Sequence, residues 1–334
     1  MVRLRRVRID SPGWSRTKRG RAFVYLDLDK VRIADEADLE RIAALAIPPA
    51  WSDVWISPWP NGHIQAAGLD DAARRQYLYH QQWRARRDRL KHEHVLDVAQ
   101  RLPAARRHVR RDLHLDGWPR DKALALAFRL LDLAYLRVGG EGYAAKHGSY
   151  GLATLLREHV TVLAPEPGSD DGRVHLHFPA KSGQIRDTVV EDDDVARLVR
   201  SLVRRSDDGP ELLAWRDDDR VWHDVSSADV SSYVKERLGD DASAKDFRTW
   251  HATVLAARGL AAAGDAPASD RARRRIATAV VKDVAEQLGN TPAVCRASYI
   301  DPRLFELWES GATIRPTRSQ NVAERETLAL LRVV

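Results

Sequence analysis

The sequence predicts an α+β protein in two domains. A small antiparallel β-rich N-terminal domain covers residues 1–85, and a larger, mainly α-helical domain with a short β-hairpin or three-stranded sheet covers residues 86–334. Three observations lead there. The first eighty residues alternate short apolar runs with turn residues. The stretch beyond repeats Ala, Leu and Phe at helical spacing, and one alternating segment, Val174-His-Leu-His-Phe, interrupts those helices. A chain of 334 residues with 44% hydrophobic content can bury a core in each of two such domains.

In the first domain, Ala22-Phe-Val-Tyr-Leu and Val54-Trp-Ile read as strands, with a short helix near Glu36 to Leu45 between them. Pro60-Asn-Gly is a turn signal because Asn and Gly tolerate positive φ. In Gln76-Tyr-Leu-Tyr79, a strand would place Tyr77 and Tyr79 on one face and Gln76 on the other. The two rings then either complete a sheet core or meet a nucleic-acid backbone or base. The basic run from Trp83 to Lys91 reads as a connector or an exposed helix able to cross a polyanion.

Asp121 to Arg137 repeats apolar residues at helical spacing and stops before Gly139-Gly140, which makes Arg137 the expected last helical residue. Val174–Phe178 and Ile185–Val190 form a predicted hairpin whose turn carries Lys181. Lys245-Asp-Phe-Arg248 opens an Ala-rich helix running to about Ala263. Ser269 or Asp270 caps a further helix with Ile276, Val280, Val284 and Leu288 on one face. Gly289-Asn290 then forms a tight link, and Thr291-Pro292 supplies the N-cap and first residue of a short helix ending near Tyr299.

The formal net charge is +6, and nine of the 54 basic residues are Lys, leaving 45 Arg. Arginine's planar fork suits phosphate better than lysine's point charge. Codon usage in a GC-rich genome would account for much of the excess; the scarcity of lysine nonetheless makes each one informative. A single cysteine, Cys295, excludes an internal disulfide framework and a cysteine-based zinc cluster; a buried structural role and a reducing compartment are expected. The N-terminus lacks an apolar h-region. The longest apolar stretch, Ala123 to Leu136, is too short and too charged to cross a bilayer. A soluble cytoplasmic protein is expected.

Five side chains in these segments suggest phosphodiester chemistry: Arg137, Lys181, Arg248, Asn290 and Tyr299. A phenol with a pKa of about 10 is a poor nucleophile at neutral pH unless cations stabilise its phenolate or the transition state, which arginines do. A lysine on an exposed turn can protonate a leaving oxygen. Each residue also has a structural reading. Arg137 could complement a helix dipole, Arg248 could pair with Asp246, Asn290 could terminate a helix, and Tyr299 could be an amphipathic surface residue.

Taken together and in order, these segments resemble the type IB DNA topoisomerases, specifically the small bacterial members related to the poxvirus enzymes. The resemblance runs from about Ile47 to Pro302. Ala134-Tyr-Leu-Arg137 with its glycine-rich continuation resembles the first-arginine motif, and Phe178-Pro-Ala-Lys181-Ser-Gly the general-acid lysine motif. Lys245-Asp-Phe-Arg248-Thr is similar to the second-arginine motif, and Leu288-Gly-Asn-Thr-Pro to Ser298-Tyr299 to the nucleophile segment. The resemblance implies a clamp of two domains around duplex DNA, with Tyr299 as nucleophile and Lys181 as general acid. Arg137, Arg248 and Asn290 would stabilise the non-bridging oxygens, and Gln76, Tyr77, Tyr79 and Tyr143 would touch DNA. Neither ATP nor a metal is implied, matching the lack of a Walker loop and of an obvious metal-ligand cluster. A monomer associated with the nucleoid is expected.

One position departs from the pattern, because many members carry histidine where this chain has Asn290. Two other readings stay open. Tyrosine recombinases share a similar residue set but usually place histidine where this chain has Lys245. A non-catalytic DNA-compacting protein would need only the basic charge.

Overall fold

The alternating apolar runs near the N-terminus pair into a five-stranded antiparallel sheet. Its strands are β1 (Trp14–Arg19), β2 (Ala22–Leu26), β3 (Ser52–Ile56), β4 (Ile64–Leu69) and β5 (Arg75–Tyr79), in the order β2-β1-β3-β4-β5. Helix α1 (Glu36–Ala44), capped by the Asp35 carboxylate, lies in sequence between β2 and β3. Ile33, Ile42, Ile47, Val54, Ile56 and Ala66 make a small core of their own. The structure is a computed structural model that describes residues 3–20, 22–164 and 172–333, without the side chains of Tyr143 and Ser182. Two compact units emerge, residues 1–91 and 92–334.

The basic run after Trp83 falls in the opening turns of a 33-residue helix, α2 (Gln81–Leu113). The second unit continues with α3 (Arg120–Ala134), α4 (Glu141–His147), and the sheet β6 (Val160–Leu163), β7 (Arg173–Pro179) and β8 (Ile185–Glu191), ordered β6-β7-β8. Helix α5 (Asp193–Val203), the strand pair β9 (Ala214–Arg216) and β10 (Trp222–Asp224), and α6 (Ser227–Leu238) follow. Then come α7 (Ala244–Ala263), α8 (Asp270–Leu288), α9 (Pro292–Ser298), α10 (Arg303–Glu309) and α11 (Gln320–Arg332).

Helix α3 is the centre of this unit, with eleven of its fifteen residues buried. Its repeated alanines let α5, α6 and α7 approach closely, and Phe128 meets Phe247 edge-on at 5.0 Å between ring centroids. The helix ends sooner than its apolar spacing suggests. Tyr135 takes a left-handed conformation at φ 55°, so Arg137 lies beyond the helix rather than closing it. No dipole interaction at the last turn explains Arg137.

The segment after Tyr135 is gripped by a 3-10 turn at Leu152–Thr154: Leu152 N–H donates to Arg137 O at 2.9 Å, and Ala153 N–H to Val138 O at 2.7 Å. The grip requires glycine on both sides, since a Cβ on Gly151 would stand 2.5 Å from Gly139 Cα. Among the described residues no helix is long and apolar enough to cross a membrane.

Candidate active site

Two helix ends and two arginines define the centre of the second unit. Helix C-termini leave carbonyls without intrahelical donors, and here those of α3 and α8 are bridged in parallel. Arg248, on the second turn of α7, donates from Nη1 to Tyr135 O and from Nη2 to Leu288 O at 2.8 Å. Arg186, on β8, donates from Nη2 to Ala134 O at 2.8 Å and from Nη1 to Gln287 O at 2.7 Å. Both guanidiniums are buried, Arg248 to 3% exposure. Asp246 is not the partner of Arg248. It closes a capping box with Ser243, accepting from its N–H and Oγ at 2.8 Å each.

Helix α8 ends in a Schellman arrangement. Gly289 at φ 60° donates to Glu286 O, and Asn290 N–H to Ala285 O at 2.9 Å. Gly289, not Asn290, is therefore the left-handed terminator, and the Asn290 side chain is left for another task. Arg137 Nη2 donates to Asn290 Oδ1 at 2.6 Å. A guanidinium offers only donors, so this bond fixes the amide's orientation. The other end, Nδ2, is buried without a hydrogen-bond partner.

Thr291 caps α9 and Pro292 starts it; Tyr299 stands at its C-terminal end. Thr253, five residues beyond Arg248 on α7, shares its hydroxyl proton between Thr249 O at 2.9 Å and Tyr299 O at 3.3 Å and accepts from Asp301 N–H at 3.2 Å. Those bonds hold the phenol's backbone against α7, and the Arg248 guanidinium carbon lies 5.2 Å from the Tyr299 ring centroid. Burial alone would raise the phenol's pKa, but the Arg248 charge, backed by Arg137 and Lys245, more than offsets it and the net direction is down. Burial and then the Arg248 charge push Arg186 down to about 10, still cationic at neutral pH. Cys295 is fully buried, as its sequence context suggests, and burial lifts its thiol to about 11.

The structure thus brings Arg137, Arg248, Asn290 and Tyr299 together. Lys181 sits on the turn between β7 and β8, closed by Ala180 N–H donating to Gln184 O at 2.7 Å. It is exposed, and none of the contacts joining the other four reaches it among the described residues. Arg186 and Tyr135 are the residues that sequence reasoning missed. The only available signal was that Arg186 breaks the apolar-inward alternation of β8.

In the first unit, Tyr77 and Tyr79 share the solvent face of edge strand β5, 38% and 40% exposed, with rings stacked at 6.0 Å. They are not core tyrosines. Gln76 on the opposite face donates to Asp70 Oδ2 at 2.9 Å. The Tyr143 side chain lies outside the described residues, although its backbone falls within α4.

A family model described as the catalytic core of eukaryotic DNA topoisomerase I matches residues 80–310. The chain belongs to the type IB DNA topoisomerases. A second model, the N-terminal domain of bacterial DNA topoisomerase IB, matches residues 22–70. DNA topoisomerase 1B of Acanthamoeba polyphaga mimivirus is 28% identical over 304 residues, which covers 89% of this chain and 88% of that protein. The topoisomerase's core match spans all four assembled residues and Lys181, while the N-terminal match stops short of β5.

Proposed function

We propose that this topoisomerase relaxes positive and negative supercoils through a transient 3′-phosphotyrosyl bond at Tyr299, without ATP or metal. The Tyr299 oxygen, its proton passing to water, attacks a backbone phosphorus, the phosphorus–oxygen bond to the 5′ carbon's oxygen breaks, and Lys181 gives that oxygen its proton. The cut strand turns about the intact one. The freed 5′-hydroxyl then attacks the phosphotyrosine, Lys181 recovers the proton, and Tyr299 leaves as a phenolate that takes its proton back from water. No bond energy is lost between the two steps, so no external energy source is needed.

The observation that carries this reading is the phenol held over a buried guanidinium that lowers its pKa. Arg137 and Arg248 would meet the negative charge that grows on the non-bridging oxygens, where preorganised donors act most strongly. Asn290 Nδ2, buried and without a partner, supplies one further neutral donor. Its burial without a hydrogen bond costs about 1–3 kcal/mol, which an incoming phosphate oxygen would offset. Gln76, Tyr77, Tyr79 and Tyr143 are the proposed contacts to duplex DNA, and the enzyme acts as a monomer on DNA in the cytoplasm.

Relaxation of a supercoiled plasmid in EDTA without ATP tests the proposal, with Tyr299→Phe as the control. The wild type should relax both signs of supercoil, and the variant should bind DNA with unchanged affinity yet form no covalent adduct. An active Tyr299→Phe enzyme would sink the assignment.

A further inference from the structure

The β6-β7-β8 sheet has one face in the core and the other in water. Val174, Leu176 and Phe178 fill the inner face, so the alternation of β7 sets His175 and His177 side by side on the outer one. Asp187 pairs with His177 across the strands and brings a carboxylate to the same face. Its Oδ1 lies 2.8 Å from His175 Nε2 and its Oδ2 3.3 Å from His177 Nδ1. One ligating atom from each of the three lies within 4.8 Å of the others. The His-x-His spacing is visible in the sequence, but Asp187 joins it only through the strand register, which is why no metal-ligand cluster was legible there.

As ion pairs, these solvent-exposed contacts contribute little to stability. As ligands they are better matched. We propose that His175, His177 and Asp187 form a binding site for a divalent transition-metal ion of the zinc class. Two imidazole nitrogens and one carboxylate oxygen suit zinc, cobalt, nickel or copper, whereas magnesium and calcium favour oxygen ligands. Metal–ligand bonds of about 2.0–2.2 Å bring tetrahedral ligand atoms to roughly 3.4 Å from one another. The side chains are on the water face, so small rotations close the remaining gap. Water completes the coordination.

The ion would fasten β7 to β8. Only the pairs Phe178–Arg186 and Pro179–Ile185 separate it from the turn that carries Lys181. The site stands apart from the proposed chemistry, and its binding is measured without DNA.

The test is titration of the metal-free full-length chain with zinc chloride, followed by calorimetry. One ion per chain should bind in the micromolar range or tighter, and cobalt should acquire the visible absorption of a protein-bound ion. The His175→Ala/His177→Ala double variant should bind zinc more weakly by well over about tenfold, the lower end of what loss of even an outer partner costs. Its melting temperature without metal should be unchanged, since neither ring packs in the core. Equal zinc binding by wild type and double variant, absence of binding to either, or displacement of zinc by magnesium overturns the proposal.

Discussion

At the residue scale, the proposed role of Asn290 follows from how its amide is held. Its Oδ1 is committed to Arg137, which leaves two Nδ2 hydrogens and no capacity to titrate. Removing one preorganised donor to a developing oxyanion costs about 10²–10³ in rate, so Asn290→Ala should cleave DNA about 10²-fold more slowly. Asn290→His should retain activity and acquire a titration near about pH 6.5 that the wild type lacks at this position. Single-turnover cleavage measured across pH checks both statements, and an Asn290→Ala enzyme as fast as wild type removes Asn290 from the site. The sequence exposed the amide and the phenol because they share one short segment. It hid the tie to Arg137, since 153 residues separate the partners.

At the element scale, the site is a junction of two helix C-termini. Arg186 and Arg248 satisfy the last carbonyls of α3 and α8 and thereby fix where Arg137 and Asn290 emerge. Helix α7 was legible from its run of alanines, and α9 from Thr291 and Pro292 as its cap and first residue. The early stop of α3 was not, because Tyr135 carries no glycine-like signal and adopts φ 55° in a fold that gives its carbonyl to Arg248. The Arg137 segment is positioned instead by the Gly139–Gly151 contact, where a new Cβ would meet backbone rather than a movable side chain. Gly151→Ala must therefore displace Arg137. Overpacking of this kind costs about 1–3 kcal/mol, and cleavage should slow by more than about tenfold while the chain still folds. Thermal melting and single-turnover cleavage distinguish the two effects; wild-type cleavage by Gly151→Ala would show that the segment does not position Arg137.

At the scale of the whole catalytic unit, a buried charge network stands about one turn behind the arginine pair and draws in the chain's last helix. Arg106 on α2 donates to both oxygens of Asp132 on α3, at 2.7 and 2.8 Å, and to both oxygens of Glu324 on α11, at 2.6 and 2.9 Å. His251, three residues past Arg248 on α7, contacts Asp132 Oδ1 at 2.9 Å. The tail beyond Ile314 gave no functional signal in the sequence, because Glu324 acquires its meaning only from a partner 218 residues away. Burial alone would raise the Asp132 pKa, but Arg106 and His251 hold it well below the ordinary carboxylate range. A depressed folded-state pKa stabilises the fold above the unfolded value of about 3.9, and that contribution is lost as pH falls towards the folded value. Arg106→Met leaves two carboxylates buried without their cation, a loss of about 3–5 kcal/mol at neutral pH. The variant's Asp132 keeps His251 and, at 3.6 Å, Arg129, but it loses the cation with the strongest pull, so burial weighs more heavily against its ionisation. Urea unfolding at a series of pH values should show the wild-type curve falling steeply through the acid range and the Arg106→Met curve lying lower and flatter, so that the gap narrows as pH drops. Parallel curves would mean that the network does not couple α2, α3, α7 and α11 through the Asp132 charge.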